Sequence, residues 1–422
     1  MFKKDLAALT PPMGWNSWDS YGASVNEKQL LENAKVMRDQ LLPFGYEYVV
    51  CDIQWSEPTA DSTEYHPFAR LTMDTYGRLL PAYNRFPSGF QEIAETIHNM
   101  GLKFGIHIMR GIPRQAVYSD FPIKGTRYTA REIVLPFREC RWNTDMYALN
   151  PAHPGAQAYY DSIFELYSEW GVDYIKADDI LRTDYDPNNS YAARADIEMI
   201  RSAIDKTGRE MVLSLSPGPA KTDSAWHLSK HANMWRITDD LWDEWPLVHN
   251  MFDRMEAWQA YVKPGCWPDA DMLPLGTLRM WKGGIPSNLS KDEQITLMSL
   301  WCIFRAPLMM GGELTRLDAF TKSILTNREI LSLTKSEHAA RQVERTDAYA
   351  VWTNLDTEGN PVAALFNTSD RLIRISVPFA DITESPVLSL TDLWTGDDIP
   401  FAENAISFEI RPHASRVVRL KG

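Results

Sequence analysis

Short apolar runs rich in β-branched and aromatic residues recur along the first three quarters of this chain, each separated from the next by a helix-like segment. That alternation calls for parallel strands joined by crossover helices. The runs predict strands at Tyr46–Ile53, Lys103–Met109, Val172–Asp179, Met211–Ser216 and Met234–Thr238, with shorter ones near Met13–Trp15, Trp267 and Pro307–Met310. Helices are expected at Glu27–Leu41, Phe90–Met100, Pro154–Trp170 and Ala192–Thr207. Eight such units over about 320 residues suit an α/β fold of the (β/α)8 TIM-barrel type, whose strands are buried on both faces and therefore read as unbroken apolar runs.

Beyond about Lys335 the helical period gives way to alternating strand patterns with turn signals between them, as in ALFNTSDRLIRISVPF and ISFEIRPHASRVVRL. The expected organisation is a catalytic barrel over residues 1–334, followed by a C-terminal antiparallel β-sandwich domain over 335–422. The second part carries no cluster of reactive side chains, so a packed accessory domain is its plain reading.

Acidic residues outnumber basic ones by 56 to 43, a net charge of −13, which argues against a nucleic-acid-binding protein. The best candidate for a membrane span, Leu300–Met310, is short and broken by Arg305 and Pro307. The N-terminus has too few apolar residues before Pro11–Pro12 for a signal-peptide core. Four cysteines, Cys51, Cys140, Cys266 and Cys302, show no CxxC spacing and read as reduced thiols, so a cytoplasmic location is expected. The 15 tryptophans suit a sugar-binding protein, because the apolar faces of pyranoses stack on aromatic rings, although most of them are individually explained as core.

Catalytic groups of a TIM barrel sit at the C-terminal strand ends. Here those ends are acidic: Asp52, Asp178 and Asp179, Asp239 and Asp240, then Asp269 and Asp271. Any one of these alone reads as a loop residue or a helix cap, but several at one end of a barrel point to chemistry. In YIKADD the period of two places Lys176 and Asp178 on one face, where the lysine would keep the carboxylate ionised as a nucleophile requires. A structural ion pair explains the same motif equally well. In WRITDD, Arg236, Thr238 and Asp240 share a face if the strand runs that far, with Arg236 holding substrate hydroxyls and Asp240 serving as acid and base. An ordinary Arg–Asp pair is the plainer alternative. Two carboxylates from facing strand ends, with stacking aromatics nearby, suggest glycoside hydrolysis. The nine histidines include no HExxH and no clustered triplet, and GGEL at 311–314 lacks the phosphate-loop pattern, so neither a metal nor a nucleotide is expected. His107 is the one histidine at a strand position directed to the barrel centre, where a core histidine is the simple reading.

TPPMGWNSWDSYG, FGYEYVVCDIQW, DYIKADD, MWRITDDLW, PGCWPDADMLPLG and LMSLWCIFRAPLMMGGEL occur in that order between Thr10 and Leu314. Together they resemble the landmarks of glycoside hydrolase family 27, the α-galactosidases and α-N-acetylgalactosaminidases. The resemblance implies a retaining exo-glycosidase, with Asp178 as nucleophile and Asp240 as acid/base. It places Trp15 as the floor under the sugar, Asp52 at its 4- and 6-hydroxyl end, and Lys176 and Arg236 at the 3- and 2-hydroxyl side, with no cofactor.

Three departures from the family pattern bear on specificity and setting. Ile53 stands where the family has a second aspartate, His107 stands where α-galactosidases carry a tyrosine near the 6-hydroxyl, and a family disulfide cysteine is replaced around Ile180. The loop SLSPGPA after strand five, with small Ser216, Gly218 and Pro219, leaves room for an N-acetyl group. An α-galactosidase is the leading expectation, with an α-N-acetylgalactosaminidase and a β-L-arabinopyranosidase as alternatives. A catalytically silent carbohydrate-binding protein is the competitor from another class. The expected partner is a small oligosaccharide or glycoside, not a nucleic acid or a membrane; a homo-oligomer stays open.

Overall fold

Eight short, almost wholly buried strands make one parallel sheet in the computed structural model: β1 (Met13–Asn16), β2 (Tyr48–Cys51), β3 (Lys103–Met109), β4 (Tyr174–Asp178), β5 (Val212–Leu215), β6 (Met234–Arg236), β7 (Trp267–Asp269) and β8 (Leu308–Met310). The structure describes residues 2–61, 64–183, 186, 189, 191–401 and 404–422. Along the sheet the order is β7-β6-β5-β4-β3-β2-β1-β8. Leu273, just past β7, makes a parallel bridge to Met310 of β8 and brings the two edges of the sheet together. The barrel expected from the alternating pattern is therefore present, with a strand at each of the eight anticipated places.

The helices between strands begin and end where local chemistry directs. α1 (Glu27–Gln40) starts at a reciprocal cap, in which the Gln29 amide N–H donates to Asn26 Oδ1 and the Asn26 N–H donates to Gln29 Oε1. α2 (Gly89–Asn99) and α3 (Pro154–Glu169) follow, and α4 (Arg194–Thr207) stops at Gly208, whose φ of 73° lies in the left-handed region that ends helices. α5 (Ala225–His231), α6 (Trp245–Trp258) and α7 (Lys291–Phe304) complete the main outer layer, α7 opening on a Ser290–Glu293 capping box. Because all eight strands run the same way, Asp178, Arg236 and Asp269 close their strands at one end of the barrel, and Asp52 follows β2 directly. The connection after β3 carries a small three-stranded sheet of Ile112–Pro113, Met146–Leu149 and Val134–Leu135, which raises a wall above that end.

After the barrel the chain forms antiparallel strands β9 (Arg341–Arg345), β10 (Tyr349–Leu355), β11 (Pro361–Asn367), β12 (Ile373–Pro378), β13 (Ser389–Asp392), β14 (Asp398–Ile399), β15 (Ala405–Ile410) and β16 (Ser415–Lys421). Six of them form a sheet in the order β9-β10-β11-β16-β13-β14, and β12 pairs with β15. The period of two divides the six-stranded sheet into two apolar faces. Ala350, Trp352, Ala364, Phe366 and Val417 belong to the same core as the barrel, while Val351, Ala363, Leu365 and Val418 pack with Ile375, Val377, Ile406 and Ile410 of the β12–β15 pair. One sheet thus has apolar contacts on both sides, against the barrel and against its sandwich partner. Contacts such as Thr296 Oγ1 donating to the His413 carbonyl at 2.7 Å join α7 to this domain.

Truncating Trp352, which is fully buried at the shared face, is expected to cost about 3–5 kcal/mol. Trp352→Ala should lower the urea midpoint of the whole chain, and a sandwich that melts alone in an earlier, separate transition would contradict the shared core.

Candidate active site

At the C-terminal end of the barrel lies a cavity of about 350 Å³, lined by Trp18, Asp52, Ile53, Tyr65, Trp142, Lys176, Asp178, Pro217 and Asp240. The strands bring the charged members together. Lys176 and Asp178 are alternate residues of β4, so both face inward, and β3 places His107 opposite Lys176 and Met109 opposite Asp178.

The Lys176 ammonium donates to Asp52 Oδ2 at 2.8 Å, and the Asn16 amide donates to the same oxygen at 2.8 Å. Asp52 Oδ1 accepts from the Ile53 N–H at 2.8 Å. Burial alone pushes the Asp52 carboxyl up, but the charges of Lys176 and His107 and these hydrogen bonds outweigh it and hold the group well below the usual carboxylate range. Burial likewise pushes the Lys176 ammonium down, and the Asp52, Asp178 and Asp271 carboxylates reverse that and raise it. The direct partner of Asp178 is therefore not the lysine on its own strand. His107 Nε2 lies 2.9 Å from Asp178 Oδ2, and the Asp179 N–H donates to Asp178 Oδ1 at 2.7 Å. Burial raises the Asp178 carboxyl, while His107, the Lys176 charge and the Asp179 amide together bring it below its ordinary value. A carboxylate so held is ionised and fixed in direction, as a nucleophile at a sugar carbon must be.

β6 ends at Arg236, so Asp240 lies on the loop beyond it rather than on the strand face that the WRITDD spacing suggested. The loop turns back over the arginine. Arg236 Nη2 contacts Asp240 Oδ1 at 3.1 Å and Arg236 Nη1 contacts Asp271 Oδ1 at 2.7 Å. Asp240 is 62% exposed in its side chain and lines the cavity, whereas Asp271 is 3% exposed and does not. Burial first, and then the neighbouring Asp240 and Asp269 charges acting against Arg236, push Asp271 up to about 6. The guanidinium thus has an open carboxylate on its cavity side and a buried one behind it.

Beside Asp52 the wall is apolar. Ile53 packs in a cluster with Met109, Cys140 and Met146, covered by Trp18, Tyr65 and Trp142. Trp18 and Tyr65 stack at 6.3 Å with 16° between ring planes, and Tyr65 meets Trp142 at 5.5 Å. Burial, and then the charges of Asp178, Asp52 and Asp240, raise the Tyr65 phenol, so it remains a neutral hydrogen-bond donor.

Of the residues singled out in the sequence, Asp52, Lys176, Asp178 and Asp240 line the cavity; Trp15, His107, Ser216 and Arg236 stand behind it. Trp15 is completely buried, its indole Nε1 donating to the Gly312 carbonyl at 2.9 Å, and the aromatic surface on the cavity comes instead from Trp18, Tyr65 and Trp142. Ser216 is buried with no partner for its hydroxyl among the described residues, and its neighbour Pro217 reaches the cavity. Tyr65 and Trp142 escaped the sequence reading because they lie in irregular loops, where no period marks the side that faces inward. Asp19 escaped it too. Its carboxyl is buried with Oδ2 unpartnered among the described residues, a Cβ at Gly311 would collide with it, and burial and then the Asp271 charge raise it well above its ordinary value.

A family model described as alpha galactosidase A matches residues 10–122 and 142–336, and one for the alpha galactosidase C-terminal beta sandwich domain matches 346–420. The chain belongs to this family of melibiase-like glycoside hydrolases. Its similarity to a glycoside hydrolase family 27 β-L-arabinopyranosidase from Geobacillus stearothermophilus is 49% identity over 99% of this chain and 98% of that one, with a TM-score of 0.96. Alpha-galactosidase 2 of Arabidopsis thaliana is 26% identical over 425 residues, covering 100% of this chain and 91% of the relative. Alpha-galactosidase I from Mortierella vinacea, 22% identical with a TM-score of 0.75, shares the fold over 98% of this chain and 97% of its own. Membership in this family makes the chain a glycoside hydrolase. The segment 123–141 lies outside the family match, and it precedes Trp142 at the cavity rim. All four cysteines are free and buried.

His107 Nε2 lies against the Asp178 carboxylate, where it can fix that group's direction. In His107→Phe the hydrogen bond and charge that lower the Asp178 carboxyl are gone, so that group protonates at higher pH. The acidic limb of the kcat/KM profile should move upward in pH; an unmoved limb would show that the histidine only fills space.

Proposed function

We propose that this chain is a retaining exo-glycosidase that hydrolyses terminal α-D-galactosyl residues of small glycosides and oligosaccharides, with a wall that makes the β-L-arabinopyranosides the faster substrates. The observation that carries this reading is the pairing of Asp178 and Asp240 on one cavity, the first half-buried and held ionised, the second open to solvent beside an arginine. Asp178 attacks the anomeric carbon while Asp240 gives its proton to the departing oxygen. Asp240 then takes a proton from water, which displaces Asp178 and releases the sugar with its configuration retained. Lys176 and Asp52 offer a donor and an acceptor for ring hydroxyls, and Trp18 offers an aromatic face. The alpha-galactosidases among the relatives support the galactoside as substrate. Four free thiols support a cytoplasmic setting.

A second sugar has its own observation. L-Arabinopyranose in the β form presents the same ring and hydroxyls as α-D-galactose without the exocyclic carbon. Where the family resemblance puts a second aspartate near that carbon, this cavity has Ile53 in an apolar cluster. A 6-hydroxyl buried there without a partner costs about 1–3 kcal/mol, or on the order of 10- to 100-fold. The 49% identical arabinopyranosidase supports the same preference.

Nitrophenyl α-galactoside, α-N-acetylgalactosaminide and β-L-arabinopyranoside assayed side by side test the assignment. The expected result is turnover of both the galactoside and the pentopyranoside, the latter with kcat/KM higher by about 10- to 100-fold, and a shift of that ratio toward galactoside in Ile53→Asp. Sugar binding with no nitrophenol release from any of the three would favour a binding protein instead.

Removing the nucleophile gives the mechanistic check. Asp178→Ala should lose turnover by on the order of 10³-fold or more while still binding sugar, and azide should restore it as a glycosyl azide of inverted configuration. Unimpaired activity in that variant would remove Asp178 from the role.

A further inference from the structure

The outer helical layer holds a second group of ligating side chains, away from the cavity and unused by glycoside hydrolysis. His227 and His231 are one turn apart on α5, their rings 4.2 Å apart, and Glu198 reaches across from α4. One ligating atom from each of the three lies within 4.8 Å of the others. We propose that Glu198, His227 and His231 bind a divalent transition-metal ion of the zinc class, clasping α4 to α5.

Two histidines at i, i+4 and a carboxylate supply three protein ligands of the kinds that zinc takes, leaving a fourth position for water. The surrounding hydrogen bonds already orient both rings. His231 Nδ1 lies 2.9 Å from the His227 carbonyl and donates to it, which leaves Nε2 unprotonated and available. His227 Nδ1 lies 2.6 Å from the Tyr191 hydroxyl, and His227 Nε2 lies 3.0 Å from Glu198 Oε1. In a tetrahedral site with ligand bonds near 2.0 Å the donor atoms sit about 3.3 Å apart, so the Glu198–His227 pair is already near the required spacing. The metal takes the place of the proton between them. That proton moves to His227 Nδ1, where the Tyr191 oxygen accepts it.

An entry path exists, since Glu198 and His231 border a surface cavity of about 550 Å³. Arg194 Nε, 3.3 Å from Glu198 Oε1, is the competing partner that the ion must displace or share. Leu228 occupies the position after His227 where HExxH has its general base, and the proposed role is structural: the clasp ties the helix before β5 to the helix before β6, the strand that carries Arg236.

The test uses the full chain without an affinity tag, freed of metal by chelator and titrated with Zn²⁺ by calorimetry and with Co²⁺ by visible absorption. The expected result is one equivalent bound, tetrahedral-type cobalt bands, and a melting temperature about 2–4 °C higher in saturating Zn²⁺. His231→Ala and Glu198→Gln should each weaken binding by about 10- to 100-fold and leave glycoside turnover unchanged. Failure to take up an equivalent at about 0.1 mM Zn²⁺, or equal uptake by wild type and both variants, would overturn the assignment.

Discussion

The half-buried ammonium of Lys176 holds the site together. A cation removed from water costs several kcal/mol unless its partners compensate, and here Asp52 at 2.8 Å, with Asp178 and Asp271 further off, supply that compensation. The dependence is mutual, because Asp52 is buried more deeply still and stays ionised through that pairing together with the His107 charge and the Ile53 amide. Lys176, Arg236 and His107 supply the positive charge acting on Asp19, Asp52, Asp178, Asp240, Asp269 and Asp271, and they act unevenly. The field therefore divides them. Asp52 and Asp178, nearest Lys176 and His107, are pulled down, while Asp19, Asp269 and Asp271 are pushed up. Environments that separate the titration of neighbouring carboxyls allow one site to do acid and nucleophile chemistry together.

Barrel geometry makes this concentration of charge tolerable. Most strands bring only one or two polar residues to that end, while the layers below are filled by side chains such as Val50, Tyr174, Val212 and Met234, all buried and on the same strand faces as His107 and Lys176. The C-terminal sheet adds a second support. Its alternating faces give it one apolar contact with the barrel and another with the β12–β15 pair, so the barrel flank it covers is shielded from water.

Specificity comes from a different layer of the structure. The polar groups on the cavity come from strand ends, but the aromatic and aliphatic wall comes from long connections, with Tyr65 after β2 and Trp142 after β3. Strand ends fix where hydroxyls are received, and the loops fix what shape of sugar is admitted. A change such as Ile53 can therefore alter the preferred sugar while the Asp178–His107 and Lys176–Asp52 contacts remain.

What the chain determined locally was legible in it: eight apolar runs at barrel spacing, acidic residues at one end of them, and Lys176 and Asp178 on one face of β4. Each of these follows from a backbone period of two or 3.6, which any short window displays. What tertiary structure decided was which of those groups meet. Lys176 pairs with Asp52, 124 positions earlier in the chain, and Asp178 with His107 on the adjacent strand, both through strand register. Asp240 approaches Arg236 through a loop rather than a strand face, and Trp18 rather than Trp15 reaches the cavity. Period tells which side of an element a residue occupies. Only the packed arrangement of distant elements sets which partner waits there and whether water can reach it.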